Sequence, residues 1–98
     1  MTFVRFEWDT GKDSKNRKKH GLSFSNVLSV FMDPNILTIY DEAHSSLEKD
    51  RWISIGRTDQ GIVCLVCHTY RSIAEVQSIR IISARKADKD EESQYYSL

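Results

Sequence analysis

The chain has 98 residues and no net charge, with 14 lysines and arginines balanced by 14 aspartates and glutamates. At 40% hydrophobic and 29% charged residues it suits one domain with one modest core, and it excludes a disordered chain. No apolar run approaches the roughly 20 residues of a membrane helix, and the start lacks the long apolar segment of a signal peptide. A cytoplasmic protein without membrane contact is expected.

Thr2–Glu7 alternates apolar and polar residues and reads as a first strand. Asp9 can N-cap a helix over about 10–19, which Gly21 stops as the residue after the last turn. Five basic residues, Lys12, Lys15, Arg17, Lys18 and Lys19, crowd this helix and run into His20. Lys12, Asn16 and Lys19 share one face, with Lys15 and His20 near it. Asp13 and Arg17 are spaced as an exposed helical ion pair. Such a run is a solvated surface in most proteins and a polyanion-facing surface in some.

Ser23 opens a second helix whose stripe is Phe24, Val27, Leu28, Val30 and Phe31, and Asp33-Pro34 breaks it. From there the pattern is strand-like. Ile36–Tyr40 is rich in β-formers, and Asp41–Asp50 is a polar, acidic connection. Arg51–Arg57 puts Arg51, Ile53, Ile55 and Arg57 on one face and Trp52, Ser54 and Gly56 on the other. Thr58–Gly61 is a hairpin turn, and Ile62–Tyr70 is apolar enough for the centre of a sheet. Gln77–Ala84 alternates Ile79, Ile81 and Ser83 against Ser78, Arg80 and Ile82, and residues 87–97 form a charged helix with Glu91 and Tyr95 one turn apart. The order β-α-α-β-β-β-β-α predicts a single α+β domain over residues 1–98: a mostly antiparallel sheet of four to five strands, two N-terminal helices on one face, and a C-terminal helix.

Cys64 and Cys67 form C-x-x-C with His68 next, a spacing shared by haem, zinc and redox sites. In a strand, residues three apart point to opposite faces, so these sulfurs are expected as small buried hydrophobes. His20, His44 and His68 are scattered, and Asp41, Glu42 and His44 read as a solvated loop, so no metal and no cofactor are expected. Arginine seldom enters strands without a partner, yet Arg57, Arg71, Arg80 and Arg85 all lie in strands or at their ends. If they converge, they form a cationic surface for a phosphodiester, with His68 as an imidazole near it. The plainer readings are strand-end solvation for Arg57, pairing with Glu91 for Arg85, a satisfied half-buried side chain for His68, and a helix-dipole cap for His20.

The combined pattern resembles the BrnT family of toxins from bacterial type II toxin–antitoxin pairs. It is carried by Phe6, Trp8-Asp9, Lys12, Asn16, Lys19-His20-Gly21, Phe24, Val30-Phe31 and Asp33-Pro34, then by Asp41, His44, Arg51, Ile55-Gly56-Arg57, Thr69 and Arg71. The string Arg80-Ile-Ile-Ser-Ala-Arg85, followed by Ala87, Glu91 and Tyr95, is its most specific part. The segment from Arg71 to Arg80 is longer than in such sequences, and Ser78 stands where a charged residue is common. The resemblance implies a RelE-like fold and a metal-independent endoribonuclease that inhibits translation and growth. It also implies a ribbon-helix-helix antitoxin partner, BrnA-like, through which alone the pair reaches operator DNA. Arg57 and Arg80 are then expected to clamp phosphate with Arg85 or Arg71 assisting, and His68 to move a proton. Lys12, Lys19 and His20 would position RNA, while Glu91 and Tyr95 would support the site, either by orienting Arg85 or by completing it. An acidic antitoxin segment over Arg57 and Arg80 is the simplest means of inhibition. The alternatives are a catalytically inactive member that holds its antitoxin in a repressing complex, and an RNA-binding module.

Overall fold

The computed structural model describes residues 3–97, so Thr2 of the expected first strand lies outside the described residues. Five strands form one mixed sheet: β1 (Phe3–Trp8), β2 (Leu37–Tyr40), β3 (Trp52–Arg57), β4 (Val63–Ile73) and β5 (Val76–Lys86), in the order β1-β5-β4-β3-β2. The apolar strand β4 is central, as its composition predicts. All neighbours are antiparallel except β1, which lies parallel to β5, Phe3 opposite Val76 and Trp8 opposite Ile81. Helix α1 (Thr10–His20) is N-capped by the Asp9 side chain and ends at Gly21, whose φ of 71° suits a residue without Cβ. The second helix is shorter than its apolar stripe suggests: α2 (Phe24–Val27), capped by Ser23, tightens into a 3₁₀ segment, Leu28–Met32. Asp13 does not pair with Arg17; its Oδ1 accepts from the Phe24 backbone N–H at 2.8 Å and so fixes the entry to α2.

The main core lies between this helical layer and one sheet face, where Phe24, Val27 and Val30 meet Cys64, Val66, Ile79, Ile81 and Ala84. Gly56 lets the 3₁₀ segment touch the sheet, since a Cβ there would stand 2.7 Å from Val30 Cγ1. Helix α3 (Lys89–Tyr96) closes a smaller cluster on the opposite face, where Tyr95 meets Ile55, Val63 and Leu65.

Past Trp8 the outer edge of β5 has no strand partner, and Asn16 occupies it. The Asn16 side chain accepts from Ala84 N at 3.1 Å and donates to Ala84 O at 2.9 Å, two bonds that a neighbouring strand would otherwise make. It also donates to Leu22 O at 2.9 Å, which ties the turn after α1 to the same point. Asn16 is therefore buried between the exposed Lys12 and Lys19.

Candidate active site

Arg80 and Arg85 are five residues apart, so an unbroken strand would send them to opposite faces. The register prevents this. Cys67 opposes Ser83, but His68 opposes Ile81, which leaves Ile82 as an extra residue in β5. The bulge reverses the alternation, so Ser83 joins the Arg80 face instead of staying with Ile79 and Ile81 as the uninterrupted pattern predicts. Arg85 pairs with Leu65 and Arg80 with Thr69, two β4 residues four apart and hence on one face. Arg57 opposes Val63 and Arg71 opposes Ser78, on that same face. Four arginines thus share the side of the sheet away from α2.

They form two groups. Arg71 and Arg80 are diagonal neighbours across β4 and β5. Arg85 and Arg57 lie nearer α3, about 13 Å and about 20 Å along the strands from Arg80 at a rise of ~3.3 Å per residue. Arg85 is held in a two-pronged ion pair, Nη1 to Glu91 Oε1 at 2.7 Å and Nη2 to Glu91 Oε2 at 2.8 Å. The hydrogen bonds from Arg85 hold the Glu91 carboxyl below its usual range and raise the guanidinium in turn. Glu91 also closes a capping box with Asp88 at the start of α3. Arg80 has one loose counter-ion, Glu7, at 4.0 Å. Arg57 and Arg71 make no side-chain ion pair among the described residues.

Arg57 is set by its backbone. Its N–H donates to Asp33 Oδ2 at 2.7 Å, and the same oxygen accepts from Tyr95 Oη at 2.5 Å. Burial opposes ionisation of Asp33, yet the bonds from Tyr95 and from the Arg57 and Asn35 backbones outweigh it and lower its pKa. The bond to Asp33 and burial push Tyr95 up to about 12. Asp33 therefore joins the end of the helical layer, β3 and α3. Sequence patterning marks it only as a helix breaker; its place before Pro34 was the available signal. Of the two expected supporting residues, Glu91 holds Arg85, and Tyr95 bonds Asp33. A cleft of about 270 Å³ opens beside Arg57, lined by Ser29, Asp33, Pro34 and Thr58 among others.

His68 is not part of this surface. It pairs with Trp52 and Ile81 on the helical face and is 0% exposed, wedged against the rings of Phe31 and Tyr70. Its Nε2 lies 2.6 Å from Ser54 Oγ, which in turn bonds Thr38 Oγ1 at 2.9 Å. Burial lowers its pKa to about 4, so it is neutral at pH 7. The sheet separates it from the arginines, and the proton-transfer role expected for it finds no geometry here. Lys12, Lys19 and His20 lie on α1, which meets the edge of β5 where Asn16 bonds Ala84, and not among the arginine-bearing strands. Cys64 and Cys67 face opposite sides of β4 and are both free. Among the described residues no three His, Cys, Asp or Glu side chains gather to hold a metal ion, and no helix is long and apolar enough to cross a membrane.

The family model for the ribonuclease toxin BrnT of type II toxin–antitoxin systems matches residues 8–91. The chain belongs to the BrnT family. Its fold is similar to the 1.1 Å crystal structure of the Brucella abortus ribonuclease toxin BrnT, with a TM-score of 0.60 at 22% identity, over 90% of this chain and 100% of that one. No curated protein sequence matches the chain. The matched segment contains all four arginines and Glu91 but stops before Tyr95, and the α+β architecture agrees with that expected from the sequence.

Proposed function

We propose that this BrnT-family chain cleaves RNA, without a metal ion, on the sheet face that carries its four arginines, and that it thereby inhibits translation and growth until an antitoxin binds. The supporting observation is the β5 bulge, which brings Arg80 and Arg85 to one face with Arg57 and Arg71.

Attack of a 2′-oxygen on the adjacent phosphate, its proton passing to water, forms a 2′,3′-cyclic phosphate as the bond to the 5′-oxygen breaks and that oxygen takes up a proton. Negative charge builds on the phosphoryl oxygens on the way, and fixed guanidinium forks aimed at them stabilise that state. Arg57 and Arg71, free of side-chain ion pairs, and Arg80, with its loose partner, can exchange solvent for phosphate at little cost. Arg85 is immobilised by Glu91 and acts as a pre-oriented dipole donor rather than a free cation. The cleft beside Arg57 gives room for a nucleotide next to the held phosphate. The antitoxin is proposed to be a ribbon-helix-helix protein, and contact with operator DNA to run through it.

Labelled RNA incubated with the purified chain in excess EDTA tests the reading. Cleavage should persist, and Arg80→Ala should slow it about 10²–10³-fold. RNA that stays intact while still bound would sink the nuclease reading in favour of a binding module. Expression of the chain alone should arrest growth, and co-expression of the antitoxin should relieve it.

A further inference from the structure

The helical layer does not cover the whole of its sheet face. Asn16 and Val30 fasten it over Ala84 and Gly56, toward one end of the sheet. At the other end a groove of about 300 Å³ crosses the sheet between its two edge strands, from Val4 and Phe6 on β1 to Thr38 on β2, with Phe31 and Met32 as one wall. None of its lining residues is charged. Met32 is 82% and Val4 53% exposed, and Tyr70, Trp52 and Tyr40 continue the surface as a row of edge-on rings across three strands. A contiguous apolar surface of this kind on a small domain marks an interaction site.

The charge beside the groove selects its occupant. Tyr40 Oη donates to Asp50 Oδ1 at 3.0 Å, so the acidic loop between β2 and β3 borders the aromatic row. That loop, residues 41–51, carries Asp41, Glu42, Glu48 and Asp50 against Lys49 and Arg51. RNA phosphates would meet no cation in the groove and repulsion at its rim, whereas the four arginines lie on the opposite face. A protein segment with large apolar side chains beside basic residues fits both the groove and its rim.

We infer that this groove is the docking site for such a segment of the antitoxin, on the face of the sheet opposite the arginines. The inference rests on the toxin–antitoxin reading above. The groove takes the apolar anchors and the loop Asp41–Asp50 takes the basic residues. The antitoxin thus anchors away from Arg57 and Arg80.

Calorimetric titration of the purified chain with its antitoxin, at low and high salt, tests this. Val4→Lys and Met32→Lys are exposed changes that should leave the thermal midpoint unaltered and weaken binding at least about tenfold each, as expected for loss of a buried apolar anchor. Affinity should fall with salt, and Arg80→Ala should not change it. Native affinity in both folded lysine variants would overturn the surface alone, as would loss of binding in Arg80→Ala. Because Met32 also borders the cleft beside Arg57, the RNA arm is read in Val4→Lys alone: loss there of RNA affinity, or of a concentration-dependent dimer, with antitoxin affinity intact would overturn it in favour of RNA or a second copy. A wild-type chain that binds no antitoxin would refute the toxin–antitoxin reading itself, and the docking site with it.

Discussion

Asn16 shows how one side chain can substitute for a strand. Asn16→Ala would leave the Ala84 N–H and two carbonyls without partners at a buried site, at a cost on the order of 3 kcal/mol. In a domain of this size that lowers Tm by roughly 10–20 °C, readable in a thermal melt. Asn16→Asp should be at least as damaging, because it replaces the donating amide with a carboxylate aimed at two carbonyl oxygens. His68 makes a pH prediction. Its folded pKa of about 4 lies below the ordinary 6.5, so between these values the unfolded chain binds the extra proton. Its contribution is therefore intact above pH 6.5 and lost progressively as pH falls toward 4, by about 3 kcal/mol in all. Denaturant melts across that window should show the loss, and His68→Gln should flatten it. RNA cleavage by His68→Gln at native rate, scaled for folded protein, is the expected companion result, since the sheet stands between this residue and the arginines.

The elements differ in how much the sequence discloses. Caps and turns at Asp9, Gly21 and Ser23 are local chemistry and stand where the residues predict them. The two faces of β3 follow from alternation alone. The β5 bulge does not, because no glycine marks Ile82 and the string of isoleucines fits either register; only pairing with β4 decides it. The same limit explains why the arginines were recognisable as a set while His68 was wrongly grouped with them: alternation gives a face within one strand but not which strands turn that face toward the helices. Asp33 and Tyr95 meet across 62 positions, beyond any periodicity. Their bond makes a prediction for α3. Tyr95→Phe should speed hydrogen exchange of the α3 amides while those of β4 keep their protection, because α3 is docked by that bond, the Arg85–Glu91 pair and a small apolar cluster. Unchanged exchange in α3 would show that the apolar cluster holds it unaided.

Taken whole, the molecule separates its charge rather than accumulating it. Zero net charge limits long-range attraction for RNA, so the proposed binding rests on local charge such as the arginine face. If all four arginines contact phosphates of a single strand, log K should fall with log salt at a slope of about −3, or about 50-fold between 50 and 200 mM. Fluorescence anisotropy with a short RNA measures this, and Arg80→Ala should reduce the slope by about 0.7. A steeper slope would add Lys12 and Lys19 to the footprint. The parallel pairing of β1 with β5 carries a further consequence, for the order of synthesis. Phe3 has no strand partner until Val76 follows it from the ribosome. Arg80 and Arg85 emerge later still, and α3, which orients Arg85, follows them. The arginine face therefore cannot assemble on a nascent chain until α3 has followed β5 out of the ribosome.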